Sequence, residues 1–561
     1  MQHTQPELDV IIVGSGAGGL AAAICLARAG KKVLVLEQHY VPGGWCHSFT
    51  LNGQRFSPGV HYVGLLNEGQ ATSDLYKGLG IANDLVFFRM NTNAFEHCII
   101  GDEKFEIPAG LDNFAESLSL SFPDSEKQIK KYLTLVQKVN YQMQLMPKLK
   151  GFKQIITAPF KTKDFVHNAF FSLKRIINGQ VSDPKVRAIL NVQCGDHGLP
   201  PAKASFIVHS SVMGHYSDGG YYPMGGGSGI VKAMTNAIKR YGGEVKVSAD
   251  VKKILIKNNT AIGVEMVDGS KILAKTVISN ADPAITYLDL VGREYLSKKL
   301  AKRLDATRYS VTSLILFITL DMDVTAAGID SGNTWIFRDE DVDAQFTDMT
   351  SGDVTEGDEF PAMFVSCTTL KDPVSFNGRY HNFEAVTYVD YNSLPDFKGN
   401  EDYHCAEYDA FKQKVIAKFM NTLERIIPGA KENTVQVELG TPKTNQFYVN
   451  STNGNVYGTE KTLKSVGPFA YKNKSEINNL YLCGASTLSH GVAGATYSGM
   501  EAAAKILGCS REDLHIADSD QKIRIYDADD AGSWPDWVHR KREDKIRHFK
   551  EIKLPENKHT V

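Results

Sequence analysis

Between Asp9 and Glu37 the chain sets down, in order, an apolar run, a glycine-rich turn, a helical pattern, a second apolar run and an acid. Val10 to Val13 reads as a buried parallel strand, since successive residues are apolar and so suit both faces of a sheet. GSGAGG follows, with Gly14, Gly16 and Gly19 on the G-x-G-x-x-G spacing and Ser15, Ala17 and Gly18 between them. Leu20, Ile24 and Ala27 recur at helical spacing, Gly30 closes the helix, and Lys32 to Leu36 forms the next strand. Gly14 permits the tight turn, Gly16 admits a pyrophosphate against the backbone, and Gly19 lets helix and strand pack closely. Phosphates then sit at the helix N-terminus, and Glu37, followed by Gln38, ends the second strand where ribose hydroxyls lie. The glycine spacing alone is weak; the whole series in order makes a dinucleotide site the expected reading.

Six residues beyond Glu37 stands a second doublet, Gly43-Gly44, in VPGGWCHSF. With NGQRFSPGVHYVG after it, this stretch resembles the FAD-dependent amine oxidase and phytoene desaturase superfamily, in which the doublet lies beside the flavin dinucleotide. GGEVKVSADVKKI resembles the family's strand against the adenine end, which implies backbone contacts from Val251. TVISNADP, ending on Asn280 and Asp282, reads as a strand returning to the nucleotide domain. LYLCGASTLSHGVAGATYSGMEAA resembles the unit that closes over the flavin ring and ribityl chain, which implies roles for Gly484, Ala485 and Val492. Residues 193–230 resemble the retinol saturase branch, close to carotenoid isomerases and desaturases. Two positions depart from the pattern. Met224 stands where the family often has Arg, and Ala485 where many relatives place an acid, leaving Ser486 and Thr487 to offer hydroxyls.

The resemblance implies an α/β fold: a Rossmann-like FAD-binding domain, discontinuous, with an interleaved α+β substrate domain. Its segments are expected at 1–75, 225–295 and 475–510, with substrate-domain segments at 76–224 and 296–474 and a polar tail at 511–561. Ser313 to Leu320 and Glu384 to Tyr391 read as substrate-domain strands. The implied cofactor is FAD, and the implied substrate an apolar isoprenoid or retinoid polyene, or another lipid. Reduction of one double bond is the expected reaction, with desaturation and cis-trans isomerisation as alternatives. A non-catalytic prenyl-lipid escort protein and an amine oxidase are the competing classes; the intact glycine set with Glu37 argues against the escort.

Composition narrows the partners. Sixty-two basic and 64 acidic residues leave a formal charge of −2, which does not suit nucleic acid as the main partner. The eight cysteines form no C-x-x-C pair and suggest a reduced, cytoplasmic chain. Cys46 and Cys483 fall near the flavin motifs, where covalent attachment is conceivable. His61, His97, His209, His215 and His490 show no metal-ligand spacing, so no metal is expected. Between residues 148 and 175 basic residues alternate with Phe152, Phe160, Phe165, Phe170 and Phe171, a composition that suits peripheral contact with an anionic membrane as well as a solvated helix. Candidate proton donors are His61, Tyr62, Tyr222, His490 and Tyr497, with His490 and Tyr497 ranked first because they flank the final glycine turn.

Overall fold

The computed structural model describes residues 8–145, 161–394, 405–516 and 520–551. Strand β1 (Leu8–Val13), helix α1 (Ala17–Arg28) and strand β2 (Val33–Leu36) form a right-handed crossover in the expected order. β1 and β2 are parallel, Val10 opposite Val33 and Val13 opposite Leu36. On its other edge β1 pairs in parallel with Lys271–Ser279, which in turn pairs with Leu480–Leu482. Glu244–Lys246 extends the sheet beyond β2, and Val251–Lys257 and Thr260–Met266 continue it as an antiparallel meander. The strands of this sheet all fall within 1–75, 225–295 and 475–510, so three distant pieces of chain make one nucleotide layer.

A second sheet runs in the order Thr434–Gly440, Thr312–Leu320, His381–Val389, Ala362–Cys367, Asn333–Phe337, Glu96–Ile100 and Glu103–Ile107. Thr312–Leu320, a long apolar stretch of the sequence, is a strand of this sheet, and every residue of it is covered. The reason is position: it pairs on both sides, and its faces meet two separate apolar clusters.

Helix α2 (Gly491–Leu507) packs against α1 along small residues. A side chain at Gly499 would strike the carbonyl of Gly18, and one at Gly18 would lie 3.0 Å from Ala495 O and Gly484 N. The two helices can approach this closely only without those side chains.

The C-terminal segment departs from expectation. Arg524–Asp527 is a strand, parallel to Val86–Arg89, and Asp536–Glu551 is a helix. Trp534 and Val538 are buried against Phe88 and Val374. A few apolar residues spaced among charges anchor this segment, a pattern too sparse to read as an amphipathic helix in sequence.

Candidate active site

An open cleft lies at the C-terminal edge of the first sheet, where open α/β sheets bind ligands. One end is walled by Glu37, Gln38, Asp250, Val251 and Leu290, the middle by Gly14 to Gly18 with Gly43 and Gly44, and the far end by Trp45, Gly59, Tyr457, Gly484, Ala485 and Val492. Thus the dinucleotide-binding residues singled out in the sequence meet in one place. Gly19 is the exception: it sits behind the turn, where a side chain would strike Gly14 O and lie 3.3 Å from Ile12, which is the packing task expected of it.

Ser15 ties the two glycine motifs together. Its hydroxyl donates to Glu37 Oε2 at 2.6 Å and accepts from the Gly43 amide at 2.9 Å. Its own amide also donates to Glu37 Oε2, and the His39 amide to Oε1, so the acid at the end of β2 fixes the phosphate turn. Gly14 holds φ +91°, a region closed to most other residues. Asn280 packs its side chain under the same turn, and Asp282 accepts from Thr452, drawing the 448–458 loop over the cleft. Asn450 reaches Gln38 from that loop at 3.1 Å.

These residues fit an extended dinucleotide. The N-terminus of α1 has no side-chain cap and no acid in its first turn, so its free amides face the cleft beside glycine backbone. α2 also begins uncapped, at His490, with Gly491 and Val492 on the cleft wall. His490 Nδ1 is buried without a partner among the described residues. Val251 lies at the Glu37 end, as the family resemblance implies. Ser486 and Thr487, next to Ala485 where an acid is often found, spend their hydroxyls on Thr459, Gly484 and Ser498. At this end Lys461 donates to the Ala485 carbonyl at 2.6 Å, and burial pushes its pKa down to about 7.

Both neighbouring thiols are buried and protonated. Burial pushes Cys46 up to about 12 and Cys483 up as well, and Cys483 donates to Asn280 Oδ1. A thiolate is the form that attacks, so this setting does not favour covalent attachment.

The proton donors fall out differently from expectation. Tyr497 points away from the cleft: its hydroxyl donates to Ala71 O at 3.0 Å, and Arg511 lies over its ring. His490 borders the ring end, but burial, aided by Lys461, pushes its pKa down to about 3. It is therefore neutral at pH 7, and its Nε2 hydrogen is given to Asp196 O at 3.0 Å. Neither is poised as an acid. His61 instead lies 3.1 Å from Glu384 Oε2, and Tyr222 is buried beneath Lys371.

What the sequence did not disclose is a group of buried acids. The Tyr62 hydroxyl lies 2.6 Å from Glu96 Oε1 and 2.7 Å from Asp196 Oδ2, and Trp335 Nε1 donates to the same Glu96 oxygen at 3.1 Å. Tyr216 stacks on Tyr62 with centroids 4.0 Å apart. Tyr457, on the cleft wall, donates to Gly195 O at 2.8 Å and meets the Tyr388 hydroxyl at 2.9 Å. Asp196, Tyr216, Tyr457 and His490 are enclosed by protein yet keep accessible surface, so they face an interior space. Beyond Glu96 and Tyr216 lies a small, mainly apolar cavity, with room for about one water, lined by Ile107, Leu111, Phe114, Leu190 and Met213.

The fold also gathers Cys194, His197 and His209, whose ligand-type atoms lie within 4.8 Å of one another, a cluster without sequence spacing. His197 Nε2 and His209 Nδ1 are 3.2 Å apart, and His209 Nε2 donates to Leu190 O, so the imidazoles satisfy each other as a neutral pair. Burial pushes His209 down to about 4. A depressed histidine contributes stability above its unfolded value near 6.5 that is lost as pH falls toward 4. His209→Gln is expected to shrink the stability lost over that window by about 3 kcal/mol, read from urea unfolding at pH 7 and pH 4. An unchanged difference between the two pH values would count against a neutral buried pair.

No helix among the described residues is long and apolar enough to cross a membrane.

Residues 17–322 match the model of the flavin-containing amine oxidoreductases. The chain is 30% identical to an all-trans-retinol 13,14-reductase of Danio rerio over 91% of this chain and 87% of that one. It is 26% identical to a chloroplastic prolycopene isomerase of Arabidopsis thaliana, over 89% and 82%. Among solved structures, putrescine oxidase with bound putrescine superimposes with a TM-score of 0.59 at 17% identity, covering 89% of this chain and 99% of that one; this likeness is one of fold. The sequence match and the built dinucleotide cleft agree: the chain belongs to the flavin-containing amine oxidoreductase family and is an FAD-dependent oxidoreductase.

Proposed function

We propose that this enzyme reduces one carbon–carbon double bond of a conjugated, apolar isoprenoid such as a retinoid. The observation that carries the reading is the end-to-end likeness to the Danio rerio reductase, over 91% and 87% of the two chains. The site is consistent with it. At its far end the cleft is walled by Trp45 and Tyr457, and Tyr388 and Tyr216 lie close behind. Such surfaces suit a flat polyene, which needs burial and no charged anchor. Gly14 to Gly18, Gly43, Gly44 and the uncapped helix starts would hold the dinucleotide. When bound and reduced, the flavin supplies a hydride equivalent, and the protein's part is to orient the substrate, exclude water and deliver one proton.

The likeness to the prolycopene isomerase supports a second reading, geometric isomerisation in the same site. The test is anaerobic. Chemically reduced holoenzyme should regain its oxidised flavin spectrum on adding all-trans-retinol and not on adding a diamine. Reoxidation by the diamine alone would make it an amine-directed enzyme. Isomerised retinol with the flavin still reduced would favour the second reading.

Substrate loading from a membrane is part of the proposal. Residues 148–160 of the basic, Phe-bearing stretch lie outside the described residues. In the remainder, Phe170 and Val166 are exposed beside Lys161 and Lys163, while Phe165 packs toward the core. Phe170→Ser should weaken sedimentation with anionic vesicles; equal sedimentation would remove this segment from the account.

A further inference from the structure

We propose that Asp196 is the proton donor of this reaction, hydrogen-bonded to the Tyr62 hydroxyl, with Glu96 as the charged partner. The assignment rests on the reduction reading above. It begins with a count of hydrogens. A tyrosine hydroxyl owns one hydrogen and can donate to one oxygen. Tyr62 nonetheless sits at hydrogen-bond distance from two carboxyl oxygens, 2.6 Å from Glu96 and 2.7 Å from Asp196. One of those contacts therefore needs a hydrogen from the carboxyl side.

The surroundings decide which. Glu96 Oε1 already accepts from Trp335 Nε1 as well as facing Tyr62, so it is the acceptor, and Glu96 is the carboxylate. Asp196 Oδ2 then carries the remaining hydrogen and donates it to Tyr62. The charges agree. Burial raises Glu96 to about 7, and the bonds from Tyr62 and Trp335 with the nearby Lys371 cation hold it from rising further. Asp196 has no such cation: burial and the Glu96 charge both push it well up, opposed only by Tyr62. Two carboxyls this close to one hydroxyl resemble other shared-proton pairs, in which the charge of the first makes the second hard to ionise and quick to regain its proton.

Position makes the proton useful. Tyr457, on the cleft wall, and His490, just before the lining residues Gly491 and Val492, bond the carbonyls of Gly195 and Asp196, so this turn packs directly behind the ring end of the cleft. Asp196 keeps some accessible surface, whereas Glu96 is fully covered. In the step, the π pair of the double bond takes the Asp196 proton to form one C–H bond. The O–H pair stays on Asp196 as carboxylate. The neighbouring carbon takes the hydride equivalent supplied by reduced flavin, so two hydrogens and two electrons are added in all. The Tyr62 hydroxyl can then turn its hydrogen from Glu96 to Asp196 until solvent restores the acid.

The experiment combines infrared spectroscopy with turnover on holoenzyme carrying carboxyl-labelled aspartate. The parent at pH 7 should show a protonated-carboxyl stretch that shifts with the label. That band should vanish in Asp196→Asn and persist in Glu96→Gln. Asp196→Asn should keep its flavin and slow double-bond reduction by about 10² to 10⁴, the usual loss for a general acid. Should Asp196→Asn fail to fold, Tyr62→Phe serves: the labelled band should move and turnover should fall at least tenfold. An unchanged band in either variant, or turnover within threefold of the parent, overturns the assignment. A parent that shows the band but reduces no polyene overturns the reduction reading and the donor role with it, leaving only the protonated carboxyl.

Discussion

Gly16→Val is expected to purify folded but colourless, with flavin content near zero. A Cβ at Gly16 lies 2.6 Å from one protein atom, the Asn280 Nδ2 amide, and its next contact is 3.8 Å away on the same side chain. That amide is the far end of a flexible side chain, so the fold can accommodate the change. The cleft cannot. Gly16 is the N-cap of α1, and its Cα is 3.4 Å from where a Cβ on Gly44 would stand, so the two glycine motifs nearly touch here. A branched side chain at this point occupies the space where a pyrophosphate meets free amides. Gly18→Val is the contrasting case. There a Cβ meets Ala495 O and Gly484 N, both backbone, at 3.0 Å, so this variant should lose the α1–α2 contact and much of its soluble yield. Visible absorbance and circular dichroism of the two variants separate the outcomes. A folded Gly16→Val protein with full flavin content would place the cofactor elsewhere.

Lys371→Met is expected to destabilise the protein by about 3 to 5 kcal/mol, the usual cost of breaking a buried ionic arrangement by removing one partner. Lys371 is fully buried. Its Nζ donates to His61 O at 2.9 Å, to Ser366 Oγ at 2.7 Å and to Asn333 Oδ1. Burial pushes its pKa down to about 7, and the charges of Glu384 and Glu96 resist that fall. Both carboxyls are themselves fully covered. Methionine matches the length of the side chain but leaves three acceptors unpaired and the acids without their cation. Each buried acceptor left unpaired costs about 1 to 3 kcal/mol. The midpoint of urea unfolding reads the effect at pH 7. A shift equivalent to less than about 1 kcal/mol would mean that the lysine does not balance these carboxyls.

The nucleotide half of the molecule was legible because its determinants are local. Gly14, Gly16, Gly19 and Glu37 lie within one crossover, and their spacing follows from the turn and the two strands. Gly43 and Gly44 follow within a few residues. The buried acid cluster was not, because its parts come from four remote segments. Tyr62 stands among the candidate donors, but Glu96, Asp196 and Lys371 look like ordinary polar residues along the chain. Only the pairing of Glu96–Ile100 with Asn333–Phe337 and the packing of the 193–198 turn bring them together. His490 and Tyr497 ranked first on nearness to the last glycine turn, but they sit on different faces of the start of α2: one reaches Asp196 O, the other Ala71 O. The cysteine–histidine cluster shows the same limit, since residues 194, 197 and 209 converge only through a turn and a helix.

The mass of the product tests double-bond reduction most directly. Chemically reduced holoenzyme, incubated without oxygen in heavy water with all-trans-retinol, should yield a retinoid with one double bond fewer. The carbon protonated by the solvent-exchanged acid should carry deuterium. A retinoid of unchanged mass and altered geometry, or one with an added double bond, would contradict the account.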